Sequence, residues 1–457
     1  MVYHVTHFPF YDEGMRIVMI WLLFCAAAAL GAAPRKAFPY AYDQHDFTNG
    51  LRLITVPTDY PNVVALYIVV QTGSRNEVEP GKTGFAHLFE HIMFRGTKAY
   101  PPEKYAAVMK QAGAASNAGT SDDLTVYHAT FSKEDFETIL SMEADRFQNL
   151  EYPEAAFRTE TLAVLGEYNK NSASPTQKLF EVLRDTAYDK HTYKHTTMGF
   201  LKDIQDMPNQ YEYSRQFFDR YYRPEYTTVI VVGDVNPDRV RGQVEKYWGN
   251  WKRGSYRPDV PVEPPASGAR TNAVSWPTPT LPWLAVAFRG PAYSDTENDQ
   301  AALDIISFLG FSESSELYQK LVIEKQQVDV LSASNPDRLD PSLFTVFARV
   351  KKADDMDSVR SDILAAFNRF KQAPVPADKL EAVKSHLRYR FLLGLDNSES
   401  IAATLADYVA LRRTPETINR LYDLYSRVTP EDVQRVSNKY FVDDGRTIVT
   451  LKGGDAK

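Results

Sequence analysis

Gly84-Phe85-Ala86-His87-Leu88-Phe89-Glu90-His91-Ile92-Met93-Phe94 is the stretch from which the rest of the chain is read. As a helix it sets His87 and His91 at i and i+4, one turn apart on one face. Glu90, three residues after His87, leans to the same side. Two imidazoles at that spacing can hold one zinc ion, and a carboxylate beside them can act on water at the metal. Leu88, Phe89, Ile92, Met93 and Phe94 make the other faces apolar, which predicts a buried helix. Nine histidines in 457 residues will sometimes fall four apart as a packing feature. A buried glutamate between two imidazoles, however, needs partners or a metal.

The order H-x-x-E-H is the inverse of the zincin H-E-x-x-H and is the inverzincin signature. A third ligand has to come from elsewhere. Arg158 to Asn169 is the best stretch, because Glu160 and Glu167 are seven apart and face one way on a helix. Leu162, Val164 and Leu165 would form its other, apolar side. His128, His191 and His195 stand in strand or loop sequence with no partner at ligand spacing, and read as structural or exposed.

Three pieces together resemble the pitrilysin/insulysin metallopeptidases, which include the mitochondrial processing peptidases. They are His87 to His91 followed by Met93-Phe94-Arg95-Gly96-Thr97, the pair Glu160 and Glu167, and Asn117-Ala118-Gly119-Thr120 ahead of Thr125-Val126-Tyr127. The resemblance covers the chain from about residue 45 to its end. It implies a zinc-dependent endopeptidase with one Zn2+ per chain, held by His87, His91 and Glu167. Glu90 would be the general base, and Glu160 would orient a ligand or its helix. Asn117 and Ala118 would bind substrate, an extended peptide paired to a sheet edge; read by itself, Asn-Ala-Gly is equally a turn. The competing class is a non-catalytic peptide-binding or assembly subunit of the same fold, against which the intact His87, Glu90, His91 and Glu167 argue. A purely structural zinc is disfavoured, since such sites are closed by four ligands, commonly Cys.

Met15 to Pro34 carries one positive charge, an apolar run and small residues at its end. That describes a secretory signal over 1–33, cleaved near Ala32 or Ala33, with Met15 a possible true start. The run is short for a membrane span, so no stable span is expected. Cys25 is the single cysteine, and removing the signal leaves no disulfide and no thiolate. Export to a periplasm fits. Hydrophobic content of 44% with 24% charged residues is that of a folded soluble protein, and a net charge of −7 with no long basic stretch argues against a nucleic-acid partner.

The strand and helix pattern runs twice. Strands over 51–56 and 63–70, the His helix, a strand over 124–131, helices over 133–150 and 158–169, and a strand over 227–234 make a metal-bearing unit at 45–255. Seven prolines between Pro258 and Pro282 mark 256–282 as an extended linker. The order then restarts in 283–457, with strands over 284–290, 342–350 and 447–451 and helices over 300–309 and 357–370. The expected fold is α+β: two homologous sandwich-like domains, each a mostly antiparallel sheet packed with helices. Aligning Phe308-Leu309-Gly310 on Phe94-Arg95-Gly96 puts Ala301, Asp304 and Ile305 where His87, Glu90 and His91 stand. The second unit therefore holds no metal.

One departure from the family bears on partners. Its metal-free half usually carries an Arg, and a Tyr seven residues later, that hold substrate. Here those positions are Val322 and Asp329, neither of which donates a hydrogen bond to a carbonyl. The resemblance thus implies a heterodimer with a related metal-free subunit that supplies the Arg/Tyr pair.

Overall fold

The computed structural model describes residues 36–454, so the signal read over 1–33 lies outside the described residues. The first six strands are β1 (Asp43–Asp46), β2 (Arg52–Pro57), β3 (Val63–Val70), β4 (Ala115–Thr120), β5 (Thr125–Ser132) and β6 (Thr227–Gly233). They form one sheet in the order β1-β2-β6-β3-β5-β4. The remaining five are β7 (Arg270–Trp276), β8 (Trp283–Arg289), β9 (Val328–Ser334), β10 (Leu343–Val350) and β11 (Arg446–Gly453), ordered β7-β11-β8-β10-β9. Beyond β1 the two sheets have the same topology. β2 pairs parallel with β6, as β7 does with β11, and every other pairing is antiparallel. The duplicated, mostly antiparallel α+β architecture read from the sequence is the one observed.

β2 and β3 are not neighbours in the sheet, because β6 is inserted between them. Two details differ from the expectation. The proline-rich stretch is not all linker: Arg270–Trp276 is β7, the counterpart of β2, so the second sheet begins before residue 283. Leu162 does not join an apolar side; it is 59% exposed, and the helix Glu154–Ser172 buries Phe157, Thr161, Val164 and Tyr168 instead.

β3 and β6 read as near-continuous apolar runs because both faces of the sheet are covered. One face packs against the helix Phe85–Ile92 and its neighbours. The other is covered by the helix Ser398–Arg412, which comes from the far end of the chain. Its Ile401, Leu405 and Val409 lie against Ile54, Ala65, Val69 and Ile230. The exchange is reciprocal. The helix Pro175–Ala187 of the first half lays Leu179 and Leu183 on Ala285, Ala287 and Val449 of the second sheet. Each half thus completes the other's core.

The second half carries buried carboxyls of its own. Asp304, on the helix Asp299–Phe311, accepts from Tyr425 Oη (2.6 Å) and Asn335 Nδ2 (2.8 Å). Asp337 accepts from Gln300 Nε2 (3.0 Å), with Arg338 and Asp407 near it. Burial, reinforced by Asp337, pushes the Asp304 carboxyl well above its ordinary range. Burial likewise pushes Asp337 up to about 6. A carboxyl whose folded pKa is raised contributes its stability below the ordinary carboxylate value and loses it as pH climbs through the folded one. Asp337→Asn, which keeps an acceptor for Gln300, is therefore expected to match the parent's melting temperature near pH 4. It should exceed the parent by several degrees at pH 8, read by calorimetry across that range. A constant gap at all pH values would show that the carboxyl does not titrate in this window.

Candidate active site

The helix Phe85–Ile92 starts at Gly84, whose φ of +92° suits glycine. A Cβ there would also stand 2.7 Å from the Met198 carbonyl oxygen. No side chain of the N-cap residue satisfies the first amides. The carboxylate of Glu77 does so from outside the helix, accepting from Gly84 N (2.8 Å) and Ala86 N (2.7 Å). Burial pushes the Glu77 carboxyl up to about 8. Nothing in its spacing marked Glu77 in the sequence.

His87 and His91 project from this helix toward Glu167 on the helix Glu154–Ser172. The Nε2 atoms of both imidazoles stand 3.5 Å from Glu167 Oε2. One ligand atom from each of the three residues lies within 4.8 Å of the others. Approaches of 3.5 Å are too long for ordinary N–H···O hydrogen bonds. The three groups therefore converge without satisfying one another. His87 is 8% exposed, and its buried Nδ1 has no hydrogen-bond partner among the described residues. Burial lowers its pKa, which keeps the ring neutral as a metal ligand must be. Two imidazole nitrogens and one carboxylate are the donor set of three-ligand catalytic zinc sites, so the residues present fit that metal.

The two glutamates of the sequence pair separate into different places. Glu160 is buried, with Oε2 3.3 Å from His91 Nδ1 and its other oxygen paired to the Arg95 guanidinium. With Nδ1–H donated to Glu160, His91 presents the lone pair of Nε2 toward Glu167. Glu90, on the same helix, accepts from Thr120 Oγ1 at 2.8 Å. Glu90, His91, Phe94, Arg95 and Glu160 line an open cleft of about 400 Å³.

Thr120 ends β4, the outer strand of the first sheet, which among the described residues pairs only with β5. Asn117 and Ala118 lie on this strand opposite His128 and Tyr127. Alternation puts Ala118 on the same face as Thr120 and Asn117 on the other, where it is exposed. The Asn-Ala-Gly stretch is thus strand, not turn, and its outer edge is unpaired. The other histidines are elsewhere. His128 stacks on Tyr67 (4.8 Å between centroids), His191 Nε2 meets Asp340 (2.9 Å), and His195 Nδ1 meets the Thr196 carbonyl (3.0 Å).

The model of Insulinase (Peptidase family M16) matches residues 52–200, and that of the Peptidase M16 inactive domain matches 210–387. A zinc protease of Helicobacter pylori, PqqE, is 30% identical over 411 residues, covering 88% of this chain and 91% of that one. The chain belongs to peptidase family M16. The mitochondrial-processing peptidase subunit beta of Blastocladiella emersonii is 24% identical to this M16 chain over 418 residues, 88% of this chain and 87% of that one. The crystal structure of a protease from Helicobacter pylori superposes with a TM-score of 0.84 at 30% identity, over 90% of this chain and 99% of that one. The first half of the periplasmic protease PqqL from Escherichia coli shares the fold, with a TM-score of 0.71 at 20% identity over 92% and 93% of the two chains. The protein is a zinc-protease-like M16 member. Among the described residues no helix is long and apolar enough to cross a membrane.

Proposed function

We propose that this M16 chain is a zinc-dependent endopeptidase acting on extended peptides, as the catalytic subunit of a two-chain enzyme. The observation that carries the reading is the convergence of His87, His91 and Glu167 beside Glu90, next to the unpaired edge of β4. Zinc held by those three residues would supply Lewis acidity toward the scissile carbonyl and the attacking water. Glu90 takes a proton from that water as its oxygen bonds to the carbonyl carbon, then delivers it to the departing amine nitrogen. Glu160, backed by Arg95, keeps the His91 ring in its tautomer and orientation. β4 aligns the substrate by main-chain pairing, which reads backbone more than side chains and favours broad specificity.

The two-chain arrangement rests on the second half. Val322 packs against the second core, and the Asp329 carboxylate is taken up by Arg349 (2.8 and 2.9 Å). Neither offers a donor to substrate. A relative is itself named as the beta subunit of a processing peptidase. The partner is a related, metal-free subunit that contributes an Arg/Tyr pair. The secretory character of residues 1–33 directs the chain to export, with a periplasm as its site of action.

The test is zinc analysis together with cleavage of a quenched fluorescent peptide, by the chain alone and with the product of its genomic neighbour. One zinc per chain and activity that rises at least tenfold on adding the partner are expected. Equal activity without the partner would reject the heterodimer and leave the peptidase. Bound zinc with no cleavage in either preparation would reject the peptidase.

A further inference from the structure

Among the described residues Thr120 is the one side chain seen to hydrogen-bond the Glu90 carboxylate, and part of what holds Thr120 lies in the other half of the chain. β4 ends at Thr120 and turns through Ser121-Asp122-Asp123 into β5. The first half grips this turn from beneath. Ser74 N and Arg75 N donate to the carbonyls of Ser121 (3.3 Å) and Asp122 (2.8 Å), and a Cβ on Gly73 would collide with both oxygens. Ser74 Oγ and Arg184 donate to Asp122 Oδ1 (3.0 and 2.7 Å), and Tyr193 Oη donates to Asp123 Oδ1 (2.7 Å).

The remaining oxygens are taken by the second half of the chain. From the loop between β9 and β10, Arg338 Nε donates to Asp122 Oδ2 at 2.8 Å and Leu339 N donates to Asp123 Oδ2 at 3.0 Å. Both aspartates are buried, at 5% and 2% exposure. Burial alone would raise the Asp122 carboxyl, but Arg184 and Arg338 hold it far below its usual range. A buried, doubly paired carboxylate tolerates little displacement, since losing one partner leaves charge unmatched in a dry place.

We propose that Thr120 is the positioning residue of Glu90, and that Arg338 positions Thr120 from the metal-free half through the Asp122 turn. The inference rests on Glu90 being the general base. By donating to Oε2, Thr120 fixes one oxygen of the carboxylate and leaves Oε1 to take the proton from water. A misplacement of about 1 Å at such a group costs on the order of 10²-fold in rate. On this account the second half serves to hold the geometry of the candidate site in the first.

The test uses the full-length chain in its active assembly and begins with Glu90→Gln. If that variant hydrolyses peptide at the parent rate, the functional reading fails, whatever Thr120 does. With Glu90→Gln inactive, Thr120→Val, which keeps the shape and removes the hydroxyl, is expected to lower kcat about 10- to 100-fold. KM, zinc content and melting temperature should stay near the parent's, and Thr120→Ser should restore kcat to within a few-fold. Arg338→Ala should lower kcat in the same manner, with Arg338→Lys recovering part of it. The double variant Thr120→Val/Arg338→Ala should be no slower than the slower single variant, because both changes break one linkage. If Arg338→Ala does not fold, Arg338→Gln takes its place in the cycle. A kcat for Thr120→Val within twofold of the parent, or a loss confined to KM, overturns the role of Thr120. Multiplicative losses in the double variant overturn the link to Arg338.

Discussion

Glu90→Gln is expected to lower peptide hydrolysis by about 10²- to 10⁴-fold, the usual contribution of a positioned general base, while one zinc stays bound per chain. The amide has the shape of the carboxylate and still accepts from Thr120 Oγ1. It is not one of the three converging ligands, so the metal site keeps its donor set. What it lacks is a basic oxygen able to take a proton from water. Steady-state cleavage of a fluorogenic peptide, with zinc measured by atomic emission on the same sample, checks both halves of the expectation. His91→Ala provides the contrast, because removing an imidazole from the set should lose zinc and activity together. A Glu90→Gln chain that cleaves at the parent rate would assign this protein a different base or a binding role. One that loses its zinc would make Glu90 a ligand.

Leu405→Asp, far from His87, His91 and Glu167 in sequence, is expected to unfold the first half. Leu405 is fully buried on the helix Ser398–Arg412, whose apolar side forms a core with Ile54, Val56, Val69 and Val232 of the first sheet. An unpaired carboxylate there has no partner and costs several kcal/mol, and Leu405→Ala should cost about 2–5 kcal/mol through lost burial and the cavity left behind. Hydrogen exchange should show loss of protection in β3 and β6, not only in the mutated helix. For the same reason a fragment spanning 45–255 is expected to aggregate or remain unfolded, since one face of its sheet would be bare. A soluble 45–255 fragment melting at the parent temperature, or β3 protected in Leu405→Asp, would show that the halves stand independently.

The spacing of the candidate ligands was legible before the fold because it is local. His87, Glu90 and His91 share a face by the helical repeat alone, and a seven-residue step puts Glu160 and Glu167 on one side of their helix. The same step could not distinguish their jobs. That Glu160 meets His91 Nδ1 while Glu167 faces both Nε2 atoms depends on the crossing of two helices. Thr120 lay in a quoted motif without a role, and Glu77 lay in none, since each acts on a helix distant in sequence. β9 and β7 went unread for a related reason. β9 is an outer strand with a polar, exposed side, and β7 sits among prolines that signal a linker.

By itself, then, the amino-acid sequence determined the repeating α+β units and the helical spacings that set His87, Glu90 and His91 on one face and Glu160 and Glu167 on another. Tertiary structure alone decided that β6 enters between β2 and β3, that Arg338 of one half grips Asp122 of the other, and that the helices Pro175–Ala187 and Ser398–Arg412 change places. An apolar helix face states that it must be covered, but not by which sheet. With two sheets of the same topology offering similar apolar surfaces, only the path of the chain and side-chain complementarity between the halves select the partner.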